Sequence, residues 1–440
     1  MDDYYCITRS LTETNIFMKH KKFLHYTHTL NNVVTNQAIA DLVQSSGLLE
    51  HIKELLTVRS QQYETPYASL ALPDDRALFL QVETLAQEKK LLKPTLVLVI
   101  GIGGSSLGAK AIYQALVGSF AHFNCQQPQL YFLETVDQNY TAALQKVVET
   151  ALAQGENVIV NVITKSGTTT ETLVNFETIL TVLKKYRPAD YYELVVVISD
   201  NNSSLHKQAK QENFSFLSIP KQVGGRYSVF SAVGLFPLMM VDIDCNALLA
   251  GASDILKNSL STDLKVNQSA QSALMLYLYY QQGYRVHDSF FFAVDLEGLG
   301  KWYRQLMAES IGKEYDVNGK RVCRDMLPTV SVGTGDLHSV AQLYLNGQKN
   351  IVTTFVSVED IQKKSEYMHA FIEGTKLAYQ KNGIPFSSLI VPSLDAYGIG
   401  QFMQCKMVEI IILGFLFQVN PFDQPNVELY KKEVKCLLIK

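Results

Sequence analysis

The sequence is poor in the features that mark an extracytoplasmic, metal-stapled or nucleic-acid-binding protein. Its six cysteines (Cys6, Cys125, Cys245, Cys323, Cys405 and Cys436) share no paired spacing and form no Cys-x-x-Cys motif. That scatter argues against a zinc ribbon or a disulfide framework and predicts reduced, mostly buried thiols in a cytosolic setting. The net charge of -3 gives no reason to expect nucleic acid or anionic membrane as a partner. Any bound anion must therefore be attracted by local groups. The start, MDDYYCITRS, lacks the basic and apolar regions of a signal peptide. The longest apolar runs, 229–241 and 410–417, are too short to span a bilayer and read as core helices. A soluble, cytoplasmic protein is expected. Low-complexity segments and long linkers are also missing, so its domains should be tightly apposed.

What is present is a globular composition, 47% hydrophobic and 18% charged, on 440 residues, enough for two or three domains and a deep cleft between them. The most informative stretch is 157–175, NVIVNVITKSGTTTETLVN. An apolar run of strand length stops at Thr164-Lys165-Ser166-Gly167-Thr168-Thr169-Thr170, and a helical pattern follows. Seven residues without an apolar side chain exceed what a strand-to-helix connection needs. Hydroxyls at a helix N-terminus suit phosphate binding, because the terminus exposes free N–H groups and a partial positive charge. They equally suit an elaborate N-cap.

Along the chain, residues 1–60 have helical periodicity and no visible chemistry. A helix over 76–87 precedes a strand over 95–100, the loop Gly101-Ile102-Gly103-Gly104-Ser105-Ser106-Leu107-Gly108 and a helix to Val117. Strands over 129–133, 158–163 and 194–198 then alternate with helices. Continuous apolar strands in such an alternation predict a parallel sheet covered on both faces, with ligands at the strands' carboxyl ends. The chain reads as helical over 228–282. A second alternation follows: strand 289–294, helix 300–310, helix 337–346, strand 350–356, helix 365–381, strand 387–391 and helix 396–419. A short charged helix over 427–438 ends the chain. The expected division is an N-terminal helical segment (1–60), a first α/β domain (61–225), a helical connection with a second α/β domain (226–420), and a C-terminal helix (421–440).

The glycine loop departs from two well-known patterns. A Walker loop would need Lys where Ala109 stands, and a dinucleotide fingerprint would need Gly where Ser106 stands. What remains is a loop whose glycines allow close backbone approach to a small ligand, or a tight turn with no ligand.

Candidates for acid–base work are few. Glu309, in WYRQLMAESIGKEY, ends a helix, where the negative end of the dipole disfavours a carboxylate. It is either a functional acid or a solvated surface residue. His338 follows Thr334-Gly335-Asp336-Leu337 at a loop-to-helix junction, where Asp336 could act as cap; the imidazole suits proton shuttling or a structural role. Arg226, behind two glycines in QVGGRYSVFSAVGLF, is a fixed cation suited to an oxyanion or to a salt bridge at a domain junction. Lys431, in NPFDQPNVELYKKEV, reads by itself as part of a solvated face.

Taken together, GIGGSSLGAKA, ITKSGTTTET, VGGRYSVFSAVGL, MAESIGK, TGDLHSV and NPFDQPNVELYK resemble, in order over 100–432, the glucose-6-phosphate isomerase (phosphoglucose isomerase) family in its compact bacterial form. The resemblance implies two doubly wound parallel-sheet sugar-isomerase (SIS) domains, three-layer αβα, with helical extensions at both ends. It implies interconversion of glucose 6-phosphate and fructose 6-phosphate with no metal or organic cofactor. Carried over by motif, Gly104, Ser105, Thr164, Lys165 (through its backbone), Ser166 and Thr169 would hold the phosphate. Glu309 would move a proton between C2 and C1, and Arg226 would stabilise the cis-enediolate. His338 and Lys431 would assist ring opening, with Gln424 nearby. In the family the histidine comes from the neighbouring subunit, which implies a homodimer with a shared active site. Two departures, Thr164 where Ser is usual and Val136-Asp137-Gln138 where Val-Asp-Pro is frequent, leave this assignment intact. Paired SIS domains also occur in sugar-phosphate sensors, and a broader specificity including mannose 6-phosphate would depend on hydroxyl contacts that the sequence does not place.

Overall fold

The computed structural model describes residues 22–31, 34–120, 128–347 and 349–438. Strand β1 (His25–His28) and helices α1 (Asn36–Ser46), α2 (Leu48–Ser60) and α3 (Arg76–Lys90) lead into a first sheet. Its strands are β2 (Pro94–Ile100), β3 (Gln129–Leu133), β4 (Asn157–Ile163), β5 (Val195–Ser199) and β6 (Ser215–Ser218), separated by α4 (Leu107–Val117), α5 (Gln138–Ala153), α6 (Thr170–Tyr186) and α7 (Ser204–Glu212). The Val- and Ile-rich strands β2, β4 and β5 are buried on both faces, as a sheet covered by helices requires. All five strands pair in parallel in the order β3-β2-β4-β5-β6. The chain leaves β2 in one direction to form β3, then returns past it to form β4. The sequence therefore reverses its winding between β2 and β4, opening a crevice at their carboxyl ends.

Three helices, α8 (Ala232–Met240), α9 (Cys245–Ser259) and α10 (Gln268–Gln281), bridge to the second unit. It contains β7 (Val286–Phe291), α11 (Glu297–Ile311), β8 (Leu327–Val332), α12 (Ala341–Asn346), β9 (Ile351–Val358), α13 (Glu359–Lys364), α14 (Glu366–Lys381), β10 (Phe386–Val391) and α15 (Ala396–Phe417). Helix α16 (Val427–Leu438) follows. The strand order is β1-β10-β9-β7-β8, the same winding as in the first sheet, so the two units are structural duplicates without a repeat in sequence.

Three strands were not legible in the pattern. β6 and β8 are short and mix polar with apolar residues. β1 lies within the segment read as wholly helical, yet pairs antiparallel with β10, His25 opposite Ile390, and makes the second sheet mixed. The expected strand at 289–294 lies earlier, because Phe290 and Phe292 face one layer, with Phe355, while Phe291 faces Phe402 in the other.

Helix α15 is apolar and long enough to cross a bilayer by composition, but 94% of its apolar window is buried inside the fold. It crosses α9 at close range. A Cβ on Gly400 would lie 2.0 Å from the Leu248 carbonyl oxygen, and one on Gly251 would lie 2.0 Å from that of Tyr397. Only glycines allow this approach. Gly400→Ala should therefore cost about 1–3 kcal/mol through overpacking, read as a lower midpoint in thermal or denaturant unfolding; an unchanged midpoint would mean that the two helices can move apart freely.

Candidate active site

Both loops singled out in the sequence lie at the winding reversal, after β2 and β4. Thr169 is the N-cap residue of α6, yet its side chain makes no cap hydrogen bond. Its hydroxyl pairs instead with that of Thr164 at 2.8 Å. Ser106, before α4, makes no side-chain cap either. The hydroxyl-rich loop is thus not an N-cap elaboration, and the two helix N-termini keep their positive ends turned to the same crevice. Ser166 Oγ accepts from the backbone N–H (3.2 Å) and hydroxyl (3.0 Å) of Thr168, which holds the loop's turn. The Lys165 ammonium is drawn away from these hydroxyls: it donates to the carbonyls of Lys221 (2.6 Å) and Val223 (2.9 Å). Burial lowers its pKa, with Asp200 opposing that shift.

The glycine loop docks on the turn that carries Arg226. A Cβ on Gly104 would lie 2.2 Å from the Gly225 carbonyl carbon, so the turns Gly103–Ser105 and Gly225–Tyr227 touch through backbone. Gly103 has φ +59°, and Gln305 Nε2 lies 3.0 Å from where its Cβ would be. The close helical approach that Ser106 could not provide belongs to Gly108, whose Cβ would meet Val229 Cγ2 at 2.7 Å. Ser105 sits half-buried in this loop.

Arg226 is 2% exposed, and its guanidinium is fully engaged. Nε donates to Ser310 Oγ (2.8 Å); one terminal nitrogen donates to Gln424 Oε1 (2.6 Å) and Glu309 Oε2 (3.3 Å); the other donates to the carbonyls of Pro421 (2.7 Å) and Asp423 (3.0 Å). The structure thereby brings together Arg226, Glu309 and Gln424, which are far apart in sequence. Glu309 lies in the last turn of α11 with its side chain 28% exposed. It lines a cavity of about 570 Å³ with Lys313, Asp423 and Gln424. It is therefore neither a solvated surface residue nor a closed ion pair.

Two contacts of Glu309 were missed in the sequence. Gln305 Nε2 donates to Glu309 Oε1 at 2.9 Å, and the Lys313 ammonium donates to the Glu309 carbonyl at 2.7 Å. Both stand four residues from Glu309, a spacing that puts neighbours on one helical face. Deeper in α11, Tyr303 donates to Glu409 at 2.6 Å, and Glu409 also accepts from Lys406 at 2.6 Å, all three buried. This network fastens the helix to α15 and so sets where its last turn lies.

His338 and Lys431 have no hydrogen bond or ion pair to Glu309 or Arg226 among the described residues. His338 is exposed and closes the short turn Gly335–Leu337 beyond β8, rather than opening a helix. Asp336 does not cap α12; its carboxylate accepts from the Val332 N–H and the Ser339 hydroxyl, each at 2.7 Å. Lys431 pairs with Glu428 at 2.7 Å on α16, which has no buried residue. The thiols also differ from expectation: Cys245 and Cys405 are buried and pushed up to about 12 by desolvation, whereas Cys323 and Cys436 are exposed. Cys6 and Cys125 lie outside the described residues.

Residues 87–382 match the family model described as phosphoglucose isomerase. The glucose-6-phosphate isomerase of Methanocaldococcus jannaschii is 30% identical over 80% of this chain and 86% of its own length. That of Acetivibrio thermocellus is 31% identical over 84% and 86%. Among solved structures, a hypothetical protein from Thermus thermophilus superposes with a TM-score of 0.80 at 28% identity, covering 94% of this chain and all of that one. A glucose-6-phosphate isomerase from Chlamydia trachomatis shares the fold, with a TM-score of 0.79 at 21% identity over 94% and 88%. On the matched motifs, the duplicated α/β architecture and these relatives, the chain belongs to the phosphoglucose isomerase family.

Proposed function

We propose that the protein interconverts glucose 6-phosphate and fructose 6-phosphate through a cis-enediolate, as an enzyme of glycolysis and gluconeogenesis acting in the cytoplasm. The observation that carries this reading is the Glu309 carboxylate, open to a cavity and 3.3 Å from a buried guanidinium, beside two helix N-termini that carry glycine and hydroxyl loops. Moving a proton between adjacent carbons needs a positioned base on one side and a fixed cation on the other. Glu309 removes the proton from C2 and returns it to C1. Arg226 cannot serve as a base and instead balances the charge on the enediolate oxygen. Gly104, Ser105, Thr164, the backbone of Lys165, Ser166 and Thr169 anchor the phosphate, whose binding energy orients the reacting carbons. In this reading the unit 61–225 supplies the anchor and the unit 226–420 supplies the base.

His338 and Lys431 assist ring opening, and His338 acts in the site of a second copy. Its exposure and its lack of contact with Glu309 within one chain support a homodimer with shared sites, as do exposed Leu343, Tyr367 and Phe371 on the neighbouring helices α12 and α14. In that dimer the second copy's histidine reaches the cavity that Gln424 lines.

A dehydrogenase-coupled assay started with fructose 6-phosphate and no added metal should show turnover; binding without turnover would instead mark a sensor. Glu309→Gln should lower kcat by about 10²–10⁴ with little change in the affinity for a phosphate ligand, and undiminished kcat would remove Glu309 from the role of base. Thr169→Val should raise KM and leave the pH dependence of kcat in place; the reverse pattern would remove the loop from phosphate binding. Mixing inactive Glu309→Gln and His338→Ala chains under exchange conditions should restore about a quarter of wild-type activity, because half the dimers would be mixed and each would hold one intact site. No recovery in a demonstrated mixed dimer would place the histidine's action within its own chain.

A further inference from the structure

We infer that Lys313, the last residue of the MAESIGK motif, is a positioning residue for the base, tying the end of the Glu309 helix to the 421–424 segment that holds Arg226 and Gln424. This rests on Glu309 acting as the base. The Lys313 side chain is only 6% exposed and lies just past the helix end, after Gly312. Its ammonium donates to the Glu309 carbonyl at 2.7 Å and to the Asp423 carbonyl at 2.5 Å, and pairs with the Asp423 carboxylate at 3.0 Å. The Asp423 carbonyl also accepts from Arg226 at 3.0 Å. One backbone oxygen is therefore shared by the two cations that flank the carboxylate, and the positions of base and guanidinium are set by the same segment.

The placement also answers an electrostatic problem. A carboxylate at a helix C-terminus faces the negative end of the dipole and the unpaired last carbonyls. Lys313 satisfies one of those carbonyls and places a positive charge at the negative end of the helix. The charged groups around this position are Arg226, Lys313 and Asp423, with Glu314 and Asp316 lining the same cavity; Gln305 and Ser310 are neutral. Burial lowers the pKa of Lys313, while Asp423 opposes that shift and keeps a cation there.

Two variants with opposite expected signs test the assignment, read from the pH profile of kcat/KM in the coupled assay. Lys313→Met removes the cation and should move the acid limb to higher pH by about 0.5–1 unit. It should also lower kcat about tenfold, and Lys313→Arg should restore the limb. Asp423→Asn keeps the shared carbonyl but removes the opposing anion, so the acid limb should move to lower pH. A purely structural role would lower the unfolding midpoint in both variants and leave both limbs in place, which would overturn the inference. If Lys313→Met fails to fold, the Asp423→Asn limb decides: a shift downward supports the inference and an unmoved limb overturns it. Absence of turnover in the wild-type chain would instead refute the proposed isomerase activity, so the two failures are distinguishable.

Discussion

The site depends on one buried cation. Removing a guanidinium from water is costly unless its donors are satisfied, and Arg226 spends all of its reach on five partners. Those partners come from the last turn of α11 and from the segment 421–424 between α15 and α16. Its own turn packs through Gly225 on the glycine loop of the first unit. Satisfying the charge therefore assembles the cleft: Glu309, Asp423 and Gln424, which compensate Arg226, also line the cavity.

The duplicated architecture divides the work. In the first sheet the strand ends at the winding reversal carry Gly103-Gly104-Ser105 and Thr164 to Thr169, with helix N-termini left uncapped by side chains. The equivalent ends in the second sheet are acidic. Asp295 follows β7 and accepts from the backbone and hydroxyl of Ser119, and α13 after β9 begins with Glu359 and Asp360. The second unit contributes a helix instead: α11, which carries Glu309, packs on α4, its counterpart in the first unit.

The parts of this arrangement that were legible in the sequence rest on local physics. Continuous Val and Ile runs identified β2, β4 and β5, and the hydroxyl loop and glycine loop followed from composition and backbone freedom. The resemblance in ordered motifs supplied the family and nominated Glu309, Arg226 and Gln424 together. Illegible were elements stabilised by partners distant in the chain. β1 has four residues and weak alternation, and it exists as a strand because β10 offers it an open edge. Lys313 and Gln305 offer only a four-residue spacing from Glu309, since their importance lies in which carbonyl and which carboxylate they reach.

By itself the sequence determined the alternation of strands and helices, the chemistry of the two loops and the family, because these depend on neighbours within a few residues or on motifs in order. Only the tertiary structure decided whether Thr169 capped a helix or left its N-terminus free, and whether Glu309 was a surface residue or the wall of a cavity. It also separated His338 from Glu309 within one chain. Each of these turns on the distance between groups tens to hundreds of residues apart, and that distance is set by how two packed sheets and their helices meet around Arg226.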